Sequence, residues 1–458
     1  MTLTRLKLSR FDGVVLATLQ GLALLTGLIA WRGDQIGLRL VEISPPEGAT
    51  QISTRAVMQV TFDQPLAAAG SDQLFSITPP VSGTVSWAGP TLSFVPETPL
   101  TPDTTYRVEL SADIRSQQGR PFRDSLAWQF QTRSPLVLYI APDAEANDQF
   151  FTISPDRGRP TQLTQEPYGV WDYTLSPDSS TLVYAALRPD GGSDLWRIGA
   201  DGSDRQLLLA CPDATCSGAA WSPDNQRLVY ERRPMLAPGA APGPPRLWWL
   251  NLADGQTLPL FQDNQMLGYG PVWSPDGRWL SYVAPSDQGI QIYNVEDGRS
   301  LIIPSRMGGL GVWSPQGDSI LVTDVQRQNE GFAVHLLRAD PGSGQLVDLS
   351  GEEERVEDSS PAWSPDGAWI ALTRKAAGAS MGKQIWLMRP DGSEAQGLTN
   401  DTDIHHGLPA WSPDGRYLTF QRYPLKELGA EPAVWLLDIQ TGQLRELVKP
   451  GSRAIWLP

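Results

Sequence analysis

Histidine and cysteine are nearly missing from this chain: His335, His405 and His406 are its three histidines, and Cys211 and Cys216 its two cysteines, in 458 residues. So thin a supply argues against zinc sites and Cys/His catalysis, both of which need several such side chains brought together. Charged residues are also sparse, at 19%, and unbalanced, with a formal net charge of −15. A phosphate backbone would be repelled by that excess, which excludes nucleic acid as a partner. The acidity serves solubility, or alternatively an acidic docking face. What is plentiful is Gly (43), Pro (40) and Trp (17). Gly and Pro punctuate strands and aromatics fill sheet cores, so the mixture predicts an all-β chain with many tight turns.

The one long apolar run lies near the start. Arg5, Lys7 and Arg10 precede an apolar segment from Val14 to Trp31. Its length just suffices to cross a bilayer core as a helix, and the preceding positive charges place the N-terminus in the cytoplasm. Residues 1–10 then form a basic cytoplasmic tail and 11–31 a transmembrane signal anchor. A cleaved signal peptide is the competing reading, although no small-x-small site precedes Arg32 and no lipobox cysteine occurs. Either way, everything after Asp34 is expected in the periplasm or outside the cell.

Residues 38–133 alternate short β-like runs with turn signals. Val57, Gln59 and Thr61 interleave with Met58, Val60 and Phe62, the period of two of half-buried strands. The opening "SPPEGAT", the strand "VTFDQPL", the stretch "LSFVPETPLTPDTTYRVEL" and the closing "WQFQT" resemble, in order and spacing, the bacterial Ig-like domain of S-layer and other surface proteins. The resemblance implies a seven-strand sandwich that acts as a spacer or adhesive module.

Residues 134–458 repeat themselves. "LSPDSSTLVYAA" from Leu175, "WSPDNQRLVYE" from Trp221, "WSPDGRWLSYV" from Trp273, "WSPQGDSILVT" from Trp313, "WSPDGAWIALT" from Trp363 and "WSPDGRYLTFQ" from Trp411 are one phrase, recurring at roughly the 40–50-residue period of propeller blades. Between them a second phrase recurs, as in "RLWWLNLADGQ" from Arg246 and "QIWLMRPDGSE" from Gln384. Each unit reads as four strands, a to d. Strand a ends in Trp-Ser-Pro, Asp-Gly turns the chain into strand b, and a second Asp-Gly-type turn joins c to d. The tryptophans are expected to pack between blades as core rather than to form a ligand cage. The array resembles the TolB-like, WD-repeat-related family of periplasmic propellers, which share this W-S-P-D-G core. The resemblance implies a fold, not a chemistry, and TolB itself implies six blades.

The chain ends argue for seven. "LVLYIAP" from Leu136, "QFFTISPDRG" from Gln149 and "TQLT" from Thr161 look like strands b, c and d without an a. "AIWLP" from Ala454 looks like a strand a with nothing after it, Trp456 and Pro458 falling where the motif has Trp and Pro. The C-terminal strand would then close the ring.

Tight a–b and c–d turns share one face, so the long b–c and d–a connections share the other. These include the Pro-rich segment from Pro234, the acidic "GEEERVED" with Glu352, Glu353 and Glu354, "DTDIHHG" with His405 and His406, and "YPLKELGAEP" from Tyr423. Loops held on a rigid scaffold carry function, which makes this face the candidate partner-binding surface. The G-x-S-x-G at 378–382 lacks the strand-to-helix setting of a nucleophile elbow, and the hydrolase domain that accompanies propellers in prolyl oligopeptidase-type enzymes is absent. Three scattered histidines do not match the set used by propeller-based pectin lyases. No calcium-loop spacing occurs. Cys211 and Cys216 flank "PDAT" and suit a local disulfide in an oxidising compartment. The expectation is a non-enzymatic protein-binding scaffold at the cell envelope, with no cofactor and no metal. A glycan-binding or glycan-cleaving propeller is the alternative, which His, Arg and carboxylates converging on the channel mouth would favour.

Overall fold

A computed structural model describes residues 10–34, 37–67, 74–111, 114–124, 126–156, 158–263, 265–285, 289–328, 331–351, 355–376, 382–401 and 403–458. Two compact units emerge: one of residues 1–52 and 56–132, the other of residues 53–55 and 133–458. Among the described residues the first unit holds the one α-helix, Arg10–Asp34. No helix of the described residues is long and apolar enough to cross a membrane. The side chains described within it run from Gly13 to Leu28, a shorter stretch than the Val14–Trp31 run. They leave Val14, Leu16, Leu22, Leu24, Leu25 and Leu28 exposed.

The sandwich of the first unit has two four-stranded sheets. Leu40–Ser44, Met58–Phe62, Thr91–Pro96 and Gly83–Ala88 form one. Ala49–Ile52, Leu126–Thr132, Thr105–Leu110 and Phe75–Thr78 form the other. That is eight strands among the described residues rather than seven. The difference arises at Pro45-Pro46-Glu47-Gly48. The two prolines lack an N–H to give to a ladder, and Gly48 takes a left-handed φ of 71°. The chain leaves one sheet there and joins the other, where Ala49–Ile52 runs parallel to Leu126–Thr132. Alternation decides what is buried: Met58, Val60 and Phe62 point into a core with Leu92, Phe94, Val108 and Trp128, while Gln59 faces out.

In the second unit the described strands form three four-stranded sheets and two eight-stranded ones, each of the latter made of two consecutive sets of four. Each of six sets is contiguous in sequence, as in Tyr269–Trp273, Trp279–Ala284, Gly289–Asn294 and Ser300–Pro304. The remaining set joins Leu136–Pro142, Asp148–Ile153 and Thr161–Gln162 to the C-terminal strand Ser452–Leu457, with Trp456 opposite Val137 and Leu457 opposite Leu136. In five places the first strands of neighbouring sets lie against one another, as Ala214–Trp221 does against Tyr269–Trp273.

The apolar core is divided into clusters, each bridging two consecutive sets. Val183, Leu195, Leu228 and Tyr230 form one such bridge. Ile290, Ile292, Ile320 and Val322 form another. The last set and the first are bridged in the same way by Val434, Leu436, Val137, Tyr139 and Trp456. The motif tryptophans lie in these seams, Trp313 and Trp456 buried and Trp221, Trp273, Trp363 and Trp411 half-buried.

Candidate functional site

The Trp-Ser-Pro-Asp-Gly phrase builds a rigid hairpin. In Ser274-Pro275-Asp276-Gly277 the Ser274 hydroxyl donates to Asp276 Oδ1 at 2.5 Å and accepts the Trp279 N–H at 2.9 Å. Gly277 supplies the left-handed φ of 74° that closes the turn. The same pair recurs as Ser222–Asp224, Ser364–Asp366 and Ser412–Asp414. Where the motif reads Ser-Pro-Gln-Gly, Ser314 reaches two residues further and donates to Asp318 at 2.7 Å. The Ser364 hydroxyl and the Ala368 N–H hold Asp366 below the usual carboxylate range. These side chains are spent on turn geometry, and this face offers no free chemistry in its repeats.

At the opposite end of the same strands the regularity breaks. The first strand of six sets shifts register just before the motif aromatic, between Ser217 and Ala220, Tyr269 and Val272, Ser359 and Ala362, Gly407 and Ala410, Ser452 and Ile455, and Val170 and Tyr173. In five of them a residue takes a left-handed φ: Gly218, Gly270, Ser360, Leu408 and Arg453. Three of these five are not glycine, and such bulges re-aim side chains. Here they turn them toward the axis. The result is a cavity of about 700 Å³ whose walls include Met307, Leu310, Pro361, Leu408 and Ile455. Met307, Leu310 and Leu408 are large apolar side chains left exposed, and Trp171 beside them is 56% exposed.

Charge enters this cavity through two lining residues, Asp172 in Val170–Leu175 and Arg453 in Ser452–Leu457. Asp172 turns its carboxylate into the sheet, where it accepts the Gly218 N–H. Burial pushes it up to about 6, and the neighbouring Glu231 adds to the rise, while the Gly218 N–H and the Arg453 charge oppose it. Glu231 is itself buried and accepts the Gly270 N–H at 2.8 Å. Arg453 is exposed. Its Nη1 donates to the Trp171 carbonyl at 2.8 Å, and its guanidinium lies 5.4 Å from the Trp171 ring centre. Among the described residues no carboxylate is within ion-pair distance of it.

His335, His405, His406 and Tyr423 are not among the residues that line this cavity. His406 sits in the strand Ile404–Trp411 with its ring buried, its Nδ1 2.8 Å from Thr399 Oγ1 and its Nε2 3.4 Å from Asp401. Burial, then the Arg422 charge, pushes His406 down to about 4. His405, on the other face of that strand, stacks on its register partner Tyr423 with ring centres 5.0 Å apart. His335 is buried beside Asp348, Nδ1 to Oδ2 2.7 Å. No two of these elements bring the three histidines together, and among the described residues no group of three or more His, Cys, Asp or Glu could hold a metal. Glu352, Glu353 and Glu354 lie outside the described residues, as do Gly378 to Met381 of the G-x-S-x-G. Cys211 and Cys216 are joined as a disulfide, with sulfurs 2.01 Å apart. Asp172, Leu310, Leu408 and Arg453 were not anticipated from the sequence. The signal was there in the residue three before each motif aromatic, embedded in irregular strings such as "SSPAW" and "GLPAW".

Residues 34–132 match the family of bacterial Ig-like domains. An uncharacterised protein of Agrobacterium fabrum is 26% identical over 215 residues, 44% of this chain and 69% of that protein. The structure titled putative TolB from Agrobacterium tumefaciens is 22% identical, covering 54% of this chain and 84% of its own, with a TM-score of 0.40. An oligogalacturonate lyase from Vibrio parahaemolyticus is 16% identical, covering 66% of this chain and 86% of its own, with a TM-score of 0.51. The chain thus joins a segment that matches bacterial Ig-like domains to a second unit whose fold is similar to that of the oligogalacturonate lyase.

Proposed function

We propose that this chain is a membrane-anchored, extracytoplasmic scaffold whose propeller binds a protein partner, without catalysis, through the face carrying the b–c and d–a connections. The observation that carries the reading is the channel mouth on that face, where exposed Met307, Leu310 and Leu408 line one cavity with Arg453, against which the exposed Trp171 lies. Aromatic, Met and Arg side chains clustered around a pocket are the composition of interface hot spots. A glycan-cleaving site would need several histidines, arginines and carboxylates on this mouth, whereas its described lining supplies Asp172 and Arg453.

The ring in this reading has seven blades and is closed by Ser452–Leu457. Its support is the pairing of that strand with Leu136–Pro142 and the seam joining the last set to the first. The location outside the cytoplasm is supported by the Cys211–Cys216 disulfide. The anchor is supported by the basic residues before the apolar run and by helix side chains exposed on all sides. Alkaline carbonate washing should leave the full chain in the membrane pellet and release a chain starting at residue 35. Release of both would refute the anchor. For the partner, affinity capture with the full chain should yield a defined protein that is lost on Leu310→Asp and Leu408→Asp and kept on Arg299→Ala in a c–d turn. Equal capture by all three variants would overturn the assignment of the face.

A further inference from the structure

The cavity at the mouth holds more than a docking surface requires. Its volume, about 700 Å³, falls within the range of small-molecule sites, which are lined mainly by apolar groups with a few placed polar ones. Most of its wall is hydrocarbon, from Leu310, Leu408, Pro361 and Ile455. Its two charges are not equivalent. Asp172 also lines the cavity, half-buried, with its Oδ2 occupied by the Gly218 N–H. Arg453 is exposed, held at its Nη1 by the Trp171 carbonyl, and has no carboxylate within ion-pair distance among the described residues. Arg453, with its left-handed backbone inside the bulge, is among the residues that line the cavity. In a chain of net charge −15, a guanidinium with no ion-pair partner among the described residues, in the wall of a mostly apolar cavity, suits an anion. A planar guanidinium suits a carboxylate in two-point contact.

We propose that this cavity binds a small amphiphilic monocarboxylate, its hydrocarbon body against Leu310, Leu408 and Pro361 and its carboxylate on Arg453. The site does not depend on the protein-binding reading, because its ligand is a small molecule and its test needs no partner. The ligand's apolar part removes the exposed surface of Leu310 and Leu408 from water. The charge-assisted bond sets its orientation, with Trp171 stacking the guanidinium from behind.

The test uses three water-soluble probes that share one body: 4-phenylbutyrate, 4-phenyl-1-butanol and 4-phenylbutylamine. Each is titrated into the full chain in a non-ionic detergent, followed by tryptophan fluorescence and by saturation-transfer NMR. The carboxylate should bind at least about tenfold more tightly than the alcohol, and the amine more weakly than either. Arg453→Gln should bring the carboxylate down to the alcohol while leaving the alcohol unchanged. Leu408→Asp, on the strand that lies against that of Arg453, should abolish carboxylate binding and strengthen the amine, which keeps the claim testable if Arg453→Gln does not fold. Equal binding of acid and alcohol by the wild-type chain, absence of saturable binding, or tenfold acid preference persisting in Arg453→Gln would each overturn it.

Discussion

The indole Nε1 of Trp456 donates to the carbonyl of Ala410, 3.2 Å away in the preceding set of strands. Trp411 does the same to Ala362 at 3.0 Å, and Trp313 to Val272 at 3.3 Å. In each case the acceptor is the residue immediately before the preceding motif tryptophan. In these three seams the motif tryptophan is a tie between neighbouring sets as well as core, which the indoles of Trp221, Trp273 and Trp363 are not, and the C-terminal strand makes the same tie as Trp313 and Trp411.

From this relationship, Trp456→Phe should cost about 1 kcal/mol, the worth of a net hydrogen bond, since most of the aromatic packing is kept. Deleting residues 454–458 removes the buried indole and an entire inner strand. It should cost at least the about 3–5 kcal/mol typical of truncating a large buried aromatic. Thermal unfolding of the two variants checks this. A deletion that melts with the intact chain would contradict ring closure by this strand.

Two buried titrations oppose each other in mildly acid solution. Asp172 is raised to about 6 by burial, so the folded state binds its proton more tightly than the unfolded state. Its contribution is full below the unfolded value near 4 and is lost as pH rises through 6. His406 is lowered to about 4 by burial, so its contribution is present above the unfolded value near 6.5 and is lost as pH falls through 4. Asp172→Asn should stabilise the chain at pH 7 by at most about 3 kcal/mol, and stability should then climb more steeply from pH 4 to 6.5. His406→Gln should flatten that climb. Denaturant melts at pH 4, 5, 6 and 7 measure both slopes, and an Asp172→Asn profile parallel to wild type would contradict the assignment.

Much of the fold was legible because it is written in backbone chemistry. Pro and Gly in Ser-Pro-Asp-Gly, and the hydroxyl and carboxylate beside them, specify one turn wherever they occur. Even the departures are readable: Ser179 and Asn225 occupy the left-handed position that Gly277 fills elsewhere. The candidate site was not legible, for the opposite reason. The position three before the motif aromatic is Asp172, Gly218, Gly270, Leu310, Ser360, Leu408 and Arg453 in successive units. A search for periodicity discards such a column as noise, yet variation at a structurally equivalent, axis-facing position is how a repeat makes an asymmetric site. His406 shows the converse. Its place in an irregular-looking "DTDIHHG" suggested a loop, but a strand runs through it and turns the ring inward toward Thr399.

The disulfide should matter modestly. It closes a short loop between sequence neighbours five apart, so loop-closure entropy predicts about 2 kcal/mol. Replacing both cysteines with Ala should lower the melting temperature by a few degrees and leave the fold intact. Thiol labelling of envelope-derived protein without reductant should modify neither residue. Full labelling of both would show that the bond does not form in its native compartment.

The central claim is that the channel mouth, and not the turn face, meets the partner. Photo-crosslinking in intact cells tests it most directly. A benzoylphenylalanine at Leu310 or Leu408 should give a discrete adduct with one protein, while the same group at Asp297, in a c–d turn on the opposite face, should give none. Adducts from Asp297 with none from Leu310 and Leu408 would contradict the account.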